Sequence, residues 1–133
     1  NLSSRAELRL RAALDRWERS SLRAEALAWP EVRPEVPFFQ RVDSPHGEYL
    51  EGAMDLLCSD GAGRRALVVD YKTGDAGLAR DEVCERHAMQ AQFYAGVLLR
   101  EGFEQVECAF VCVERDDPNA PGEPLVVRYA FGA

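Results

Sequence analysis

The chain has 133 residues, 47% of them hydrophobic and 29% charged, a balance that fits one globular domain with a single core and leaves too little chain for two. A net charge of −7 argues against a domain that grips nucleic acid by bulk positive charge, though not against an active site working on nucleic acid held by a neighbour. No run approaches the roughly 20 apolar residues that span a membrane, and the charged N-terminal region lacks the apolar centre of a secretory signal.

The opening "NLSSRAELRLRAALDRW" has helical period, with Ser4 and Glu7 at capping-box spacing and Leu8, Ala12, Leu14 and Trp17 as its apolar positions. Ser20 and Ser21 mark a break and a new cap, and a second short helix is expected to run to about Trp29, before Pro30. Residues 1–30 are therefore read as a helical part and 31–133 as an α/β core of the same domain. "VRPEVPFFQRV", with two internal prolines, is expected to be an edge strand. "SPHG" (44–47) reads as a turn, "EYLEGAMDLLC" as a second strand, and "SDGAGR" as a hairpin turn. "ALVVDYK" is apolar on both faces, so it belongs in the middle of a sheet.

After a loop at Gly74–Gly77, "RDEVCERHAMQAQFYAGVLLREG" has helical period. Val83, Met89, Phe93, Val97 and Leu98 can share one face, and Gly102 ends the helix. "VECAFVCVE" and "PLVVRYAF" are two further strands, with the turn-rich "RDDPNAPGE" between them. The order is α-α-β-β-β-α-β-β, and the helix between the third and fourth strands favours a right-handed parallel crossover. Cys58, Cys84, Cys108 and Cys112 include no CxxC pair; three lie in apolar strand-like runs, which suggests buried free thiols and a cytosolic setting.

The chemistry is concentrated around the hairpin. Counting outward from "SDGAGR" brings Asp55 level with Asp70 on adjacent strands, well inside apolar sequence. Like charges facing each other across a sheet are destabilising unless one is protonated or a cation lies between them. A hard divalent cation with oxygen ligands is the natural remedy. Strand alternation puts Lys72 on the same face as Asp70 and turns Tyr71 away. That ammonium could orient or help deprotonate a water, or stabilise charge on a phosphoryl oxygen. Glu35, in the preceding strand, could reach a metal directly or through water.

These segments resemble the PD-(D/E)xK nuclease superfamily, and more closely the C-terminal nuclease domain of RecB- and AddA-type bacterial helicase–nucleases. The resemblance is carried by "EVPF" (35–38), "EGAMDLL" (51–57), "LVVDYKTG" (67–74) and "QAQFYAGVL" (90–98), in the family's order. It implies a restriction-endonuclease-like mixed sheet flanked by helices. It implies Asp55, Asp70 and the backbone carbonyl of Tyr71 as metal ligands, Lys72 as the catalytic lysine and Glu35 as an accessory acid. Gln90 and Tyr94, one helical turn apart, would support the site or contact DNA. Mg²⁺ is the implied cofactor, with Mn²⁺ as a substitute, and DNA the implied substrate. An attached helicase motor and a second helicase–nuclease subunit are the implied partners, in the bacterial cytoplasm.

Two features depart from the family. Its metal-ligating His on an upstream helix has no counterpart before Glu35. The first residue is Asn, so the chain is expected to be cut from a longer one that carries that helix, and weak or absent activity is expected of these residues alone. The cysteine spacing does not fit the iron–sulfur cluster of some relatives, and no cluster is expected. His87 falls where the family often has Tyr and is expected to be solvated; Trp17 and Trp29 are expected to be core or helix-packing residues. Two other readings stand beside hydrolysis of DNA: a catalytically silent nuclease fold guiding DNA or scaffolding a helicase complex, and a protein–protein interaction module with a buried ionic cluster.

Overall fold

The computed structural model describes the backbone of residues 2–41, 49–74 and 77–132, and the side chains of 4–38, 52–74 and 77–132. Its elements are α1 (Leu2–Glu18), α2 (Ser21–Leu27), β1 (Glu31–Arg41), β2 (Tyr49–Ser59), β3 (Arg65–Lys72), α3 (Arg80–Arg100), β4 (Gln105–Asp117) and β5 (Ala120–Gly132). The five strands form one sheet in the order β1-β2-β3-β4-β5, with β3 and β4 parallel and every other pair antiparallel. This is the mixed α/β architecture expected from the sequence, with β1 at an edge and β3 in the centre. The turn expected at 44–47 lies outside the described residues.

The β2–β3 register pairs Leu56 with Val69, Leu57 with Val68, Cys58 with Leu67 and Ser59 with Ala66. The turn between them is held by Asp60, whose carboxylate accepts the backbone N–H groups of Ala62, Arg64 and Arg65. α3 then carries the chain over one face, so that β4 enters parallel to β3. Asp81 and Glu82 sit in the first turn of α3, where the helix dipole favours them, and Glu82 accepts the N–H of Ala79. The helix ends where Gly102 adopts φ +112 and the N–H of Phe103 returns to Leu98.

Strand alternation divides the core in two. Ala66 and Val68 of β3, with Cys108, Phe110 and Cys112 of β4, pack under Val83, Ala91, Tyr94, Ala95 and Leu98 of α3. Leu67, Val69, Ala109 and Val111 face the other way, against Ala13, Leu22 and Ala26 of the N-terminal helices, with Trp17 and Trp29 half-buried around them. Arg16 fastens α1 to β4, donating to the carbonyl of Val113 and to Asp116.

Four local expectations are corrected. Ser4 lies inside α1, which begins at Leu2, so it does not cap that helix; Ser20 does cap α2, accepting the N–H of Arg23. On α1 the residue that enters the core is Ala13, while Leu8 and Leu14 are exposed, because the sheet meets the helix along a narrower stripe than the apolar pattern suggests. On α3, Met89 is 79% exposed and His87 is buried instead, stacked flat on Phe110. β4 and β5 run on to a tight turn at 118–119, absorbing most of the expected long loop into a hairpin with a register shift between Cys112 and Asp116.

Candidate active site

β3 carries its apolar run to Val69 and then delivers three polar residues at the end of the sheet where β2 and β3 part. The ladder between the two strands stops at Leu56 and Val69. Asp55 and Asp70 occupy the next step, on the face covered by α3. Pairing fails there on the other side of β2 as well: the β1–β2 register steps from Pro34–Leu56 to Val36–Met54, passing over Glu35 and Asp55.

The freed backbone is answered by a side chain. The N–H of Tyr71 donates to Oδ2 of Asp55 at 2.7 Å, which ties the carboxylate of β2 to the tip of β3. Asp70 is 6% exposed. Its Oδ2 accepts the hydroxyl of Tyr94 at 2.6 Å, and its Oδ1 lies 3.4 Å from Nζ of Lys72. Gln90 donates to the Tyr94 oxygen at 2.7 Å, so the phenolic hydrogen must point at Asp70. Burial, reinforced by the bond to Asp70, pushes the Tyr94 phenol far above its ordinary pKa, and it acts only as a neutral donor.

Burial also raises the pKa of Asp55, and the adjacent Asp70 adds to this, while the Tyr71 N–H opposes it. Two carboxyls on adjacent strands, that of Asp70 buried, carry more charge when both are ionised than the single ammonium of Lys72 balances. The side-chain donors are hard oxygens, those of the two carboxylates. This set suits a divalent cation that keeps several waters or substrate oxygens, as Mg²⁺ does. Among the described residues no three His, Cys, Asp or Glu side chains come together as a metal cage.

Asp55, Asp70, Lys72, Gln90 and Tyr94 are thus brought together. Glu35 is level with Asp55 on β1, but it is exposed and its φ is +50, an uncommon backbone state for a residue with a Cβ. Tyr71 turns its ring to the opposite face, where it packs edge-on against Trp17 at 4.9 Å. The cysteines are free. Burial raises the thiols of Cys58 and Cys108 to about 11 and about 12, keeping them protonated and unreactive.

Two features of the site went unread in the sequence. The quoted segments interlock through Phe38, whose ring lies across Gly52 and meets Tyr94 edge-on at 5.6 Å. The composition also held an unused signal: Lys72 is the sole lysine of the chain, and its other 15 basic residues are all arginine. A compact ammonium, rather than a guanidinium fork, is kept at this one position.

A central strand pair ending in two acids and a lysine, in a mixed sheet with helices on both faces, defines a restriction-endonuclease-like α/β domain. The chain belongs to the PD-(D/E)XK nuclease superfamily, whose family model matches residues 1–129. Among solved structures, that of SSO0001 is similar at 16% identity and a TM-score of 0.46, over 76% of this chain and 41% of that one. A search of curated proteins finds no match. No helix among the described residues is long and apolar enough to cross a membrane.

Proposed function

We propose that this domain hydrolyses DNA phosphodiester bonds with Mg²⁺, as the nuclease part of a RecB/AddA-type helicase–nuclease. The observation that supports this best is the juxtaposition of Asp55 and Asp70 with Lys72, whose Nζ lies 3.4 Å from Asp70. Asp55, Asp70 and the Tyr71 carbonyl would hold the cation, which when bound would polarise the phosphate and acidify a water. Tyr94, backed by Gln90, fixes the rotamer of Asp70, and the Tyr71 N–H does the same for Asp55. Lys72 offers an N–H to the attacking water or to a non-bridging phosphoryl oxygen, where negative charge grows as the water oxygen bonds to phosphorus and one P–O ester bond breaks. The acidic balance of the domain fits a division of labour in which motor and partner subunits grip the DNA.

The test is Mg²⁺- or Mn²⁺-dependent DNA cleavage by the longer parent chain expected from the sequence, compared with Asp70→Ala and Lys72→Ala in that same chain. Activity lost in both variants supports the reading, and a wild type no better than the variants refutes it. Mn²⁺ titration addresses the silent-fold alternative, which the two-carboxylate ligand set among the described residues favours. Binding that depends on Asp70 without cleavage would establish a guiding domain, and no binding at all an ionic cluster.

A further inference from the structure

The ammonium of Lys72 has a second neighbour besides Asp70. Parallel pairing sets Phe110 of β4 level with Asp70, and Nζ of Lys72 lies over the Phe110 ring, 5.6 Å from its centre. That ring is fully buried and held by other rings. His87 stacks on it at 5.1 Å and 7°, Tyr94 lies near-parallel at 6.3 Å, and Tyr129 meets it edge-on at 5.6 Å. Tyr129 is itself anchored, its hydroxyl bonded to the carbonyl of Cys84 on α3. The aromatic face presented to Lys72 therefore cannot swing away.

We propose that Phe110 is the positioning residue of Lys72, holding the ammonium at the site when Asp70 is engaged by a divalent cation. The role rests on the nuclease reading above. The physical argument is a difference between two attractions. The pull of Asp70 on Lys72 is the attraction of opposite charges, and a cation sharing that carboxylate weakens it and repels the ammonium directly. The pull of the ring comes from its quadrupole, which carries no net charge to neutralise and acts through a dry contact. Lys72 has four flexible bonds and a side chain 21% exposed, so without the ring it would move out into water once Asp70 is occupied. Phe110 thus keeps the donor in place in the state that reacts.

Because Lys72 is the only lysine of these 133 residues, the domain labelled with ¹³C-lysine gives a single ε-methylene signal. Ring currents are expected to place its protons upfield of free lysine in the wild type, to hold them there on saturation with Mg²⁺, and to release them in Phe110→Leu. In steady-state cleavage by the parent chain, Phe110→Leu is expected to lower kcat about 2- to 30-fold, with KM and Mn²⁺ affinity unchanged. Phe110→Tyr, which keeps the ring, is expected to lose less. A wild-type signal at the free-lysine position, or one that returns there with Mg²⁺, overturns the proposal even if Phe110→Leu fails to fold. So does a Phe110→Leu loss that tracks Mn²⁺ affinity and melting temperature, which is the mark of a merely structural role. A domain that keeps the upfield signal while the parent chain does not cleave removes the nuclease reading, and the role with it. A wild type that cleaves without the shift removes only the role of Phe110.

Discussion

The hydroxyl of Tyr94 donates to Oδ2 of Asp70 at 2.6 Å, joining the middle of α3 to the end of β3. Tyr94→Phe leaves a buried carboxylate short of one donor. It is expected to cost about 1–3 kcal/mol in stability. A loss of about 10- to 100-fold in Mn²⁺ affinity or cleavage rate should accompany it, the usual effect of removing a group that orients a metal ligand. Gln90→Ala removes only the group that aims the phenol, and should lose less on both measures. Thermal melts and Mn²⁺ titration of the two variants check this; a larger loss from Gln90→Ala would mean that Gln90 acts elsewhere.

Asp55 is expected to oppose folding in the metal-free protein. Its pKa is raised, first by burial and then by Asp70, so the folded state binds this proton more tightly than the unfolded chain does. Its contribution therefore falls as pH rises from the ordinary carboxylate value through the raised one, and the destabilisation is complete above both. Asp55→Asn keeps an acceptor for the Tyr71 N–H and removes a charge. It should stabilise the apo protein at pH 7 by up to about 1 kcal/mol, flatten this pH dependence and abolish Mn²⁺ binding. Urea melts between pH 4 and pH 8 without metal would show it; a less stable Asp55→Asn protein at pH 7 would contradict it.

Gly52 is bare because Phe38 lies over it. A Cβ there would come within 3.0 and 3.1 Å of the Phe38 ring, which would have to shift. Gly52→Ala should weaken the edge contact between Phe38 and Tyr94 and cost about 0.5–1.5 kcal/mol. In a Phe38→Ala background the same substitution should cost little, since no ring remains to collide with. An equal loss in both backgrounds would show that the glycine serves the backbone rather than the ring.

Arg128 draws α2, β4 and β5 together, donating to both oxygens of Glu25 and to Glu107. The hydrogen bond from Arg128 is the main reason the Glu25 pKa lies below its ordinary value. That contribution is present above the unfolded glutamate value and is lost as pH falls through the lowered one. Arg128→Ala should cost about 1 kcal/mol at neutral pH, the upper range for exposed pairs, and less in acid or high salt. A loss that does not vary with pH or salt would point to packing of the arginine stem instead.

Much of this was legible before any coordinates, and the reasons are local. Apolar runs of period 2, the "SDGAGR" turn and the long helical pattern ending at Gly102 each depend on neighbours in the chain. They are enough to place Asp55 opposite Asp70 and Lys72 beside it, because an antiparallel hairpin transmits register through a short turn. His87 and Met89 exchanged places because a helix with apolar residues on several sides does not say which side meets the sheet; the flat stack on Phe110 decided it. The length of the β4–β5 hairpin was misread because "RDDPNAPGE" is rich in turn formers, yet Asp116, Asp117 and Ala120 pair and carry both strands to a tight turn.

The sequence by itself determined the element order, the central strand and the two acids with their lysine, since these follow from alternation along a strand and pairing across one tight turn. Only the tertiary structure decided what surrounds them. The alignment of Phe110 with Asp70 depends on the length and path of the α3 crossover. The bond from Tyr94 to Asp70 depends on how α3 rolls on the sheet, and the place of Phe38 on the close approach of an edge strand to that helix. Contacts between residues far apart in the chain are set by packing, and no local pattern encodes them.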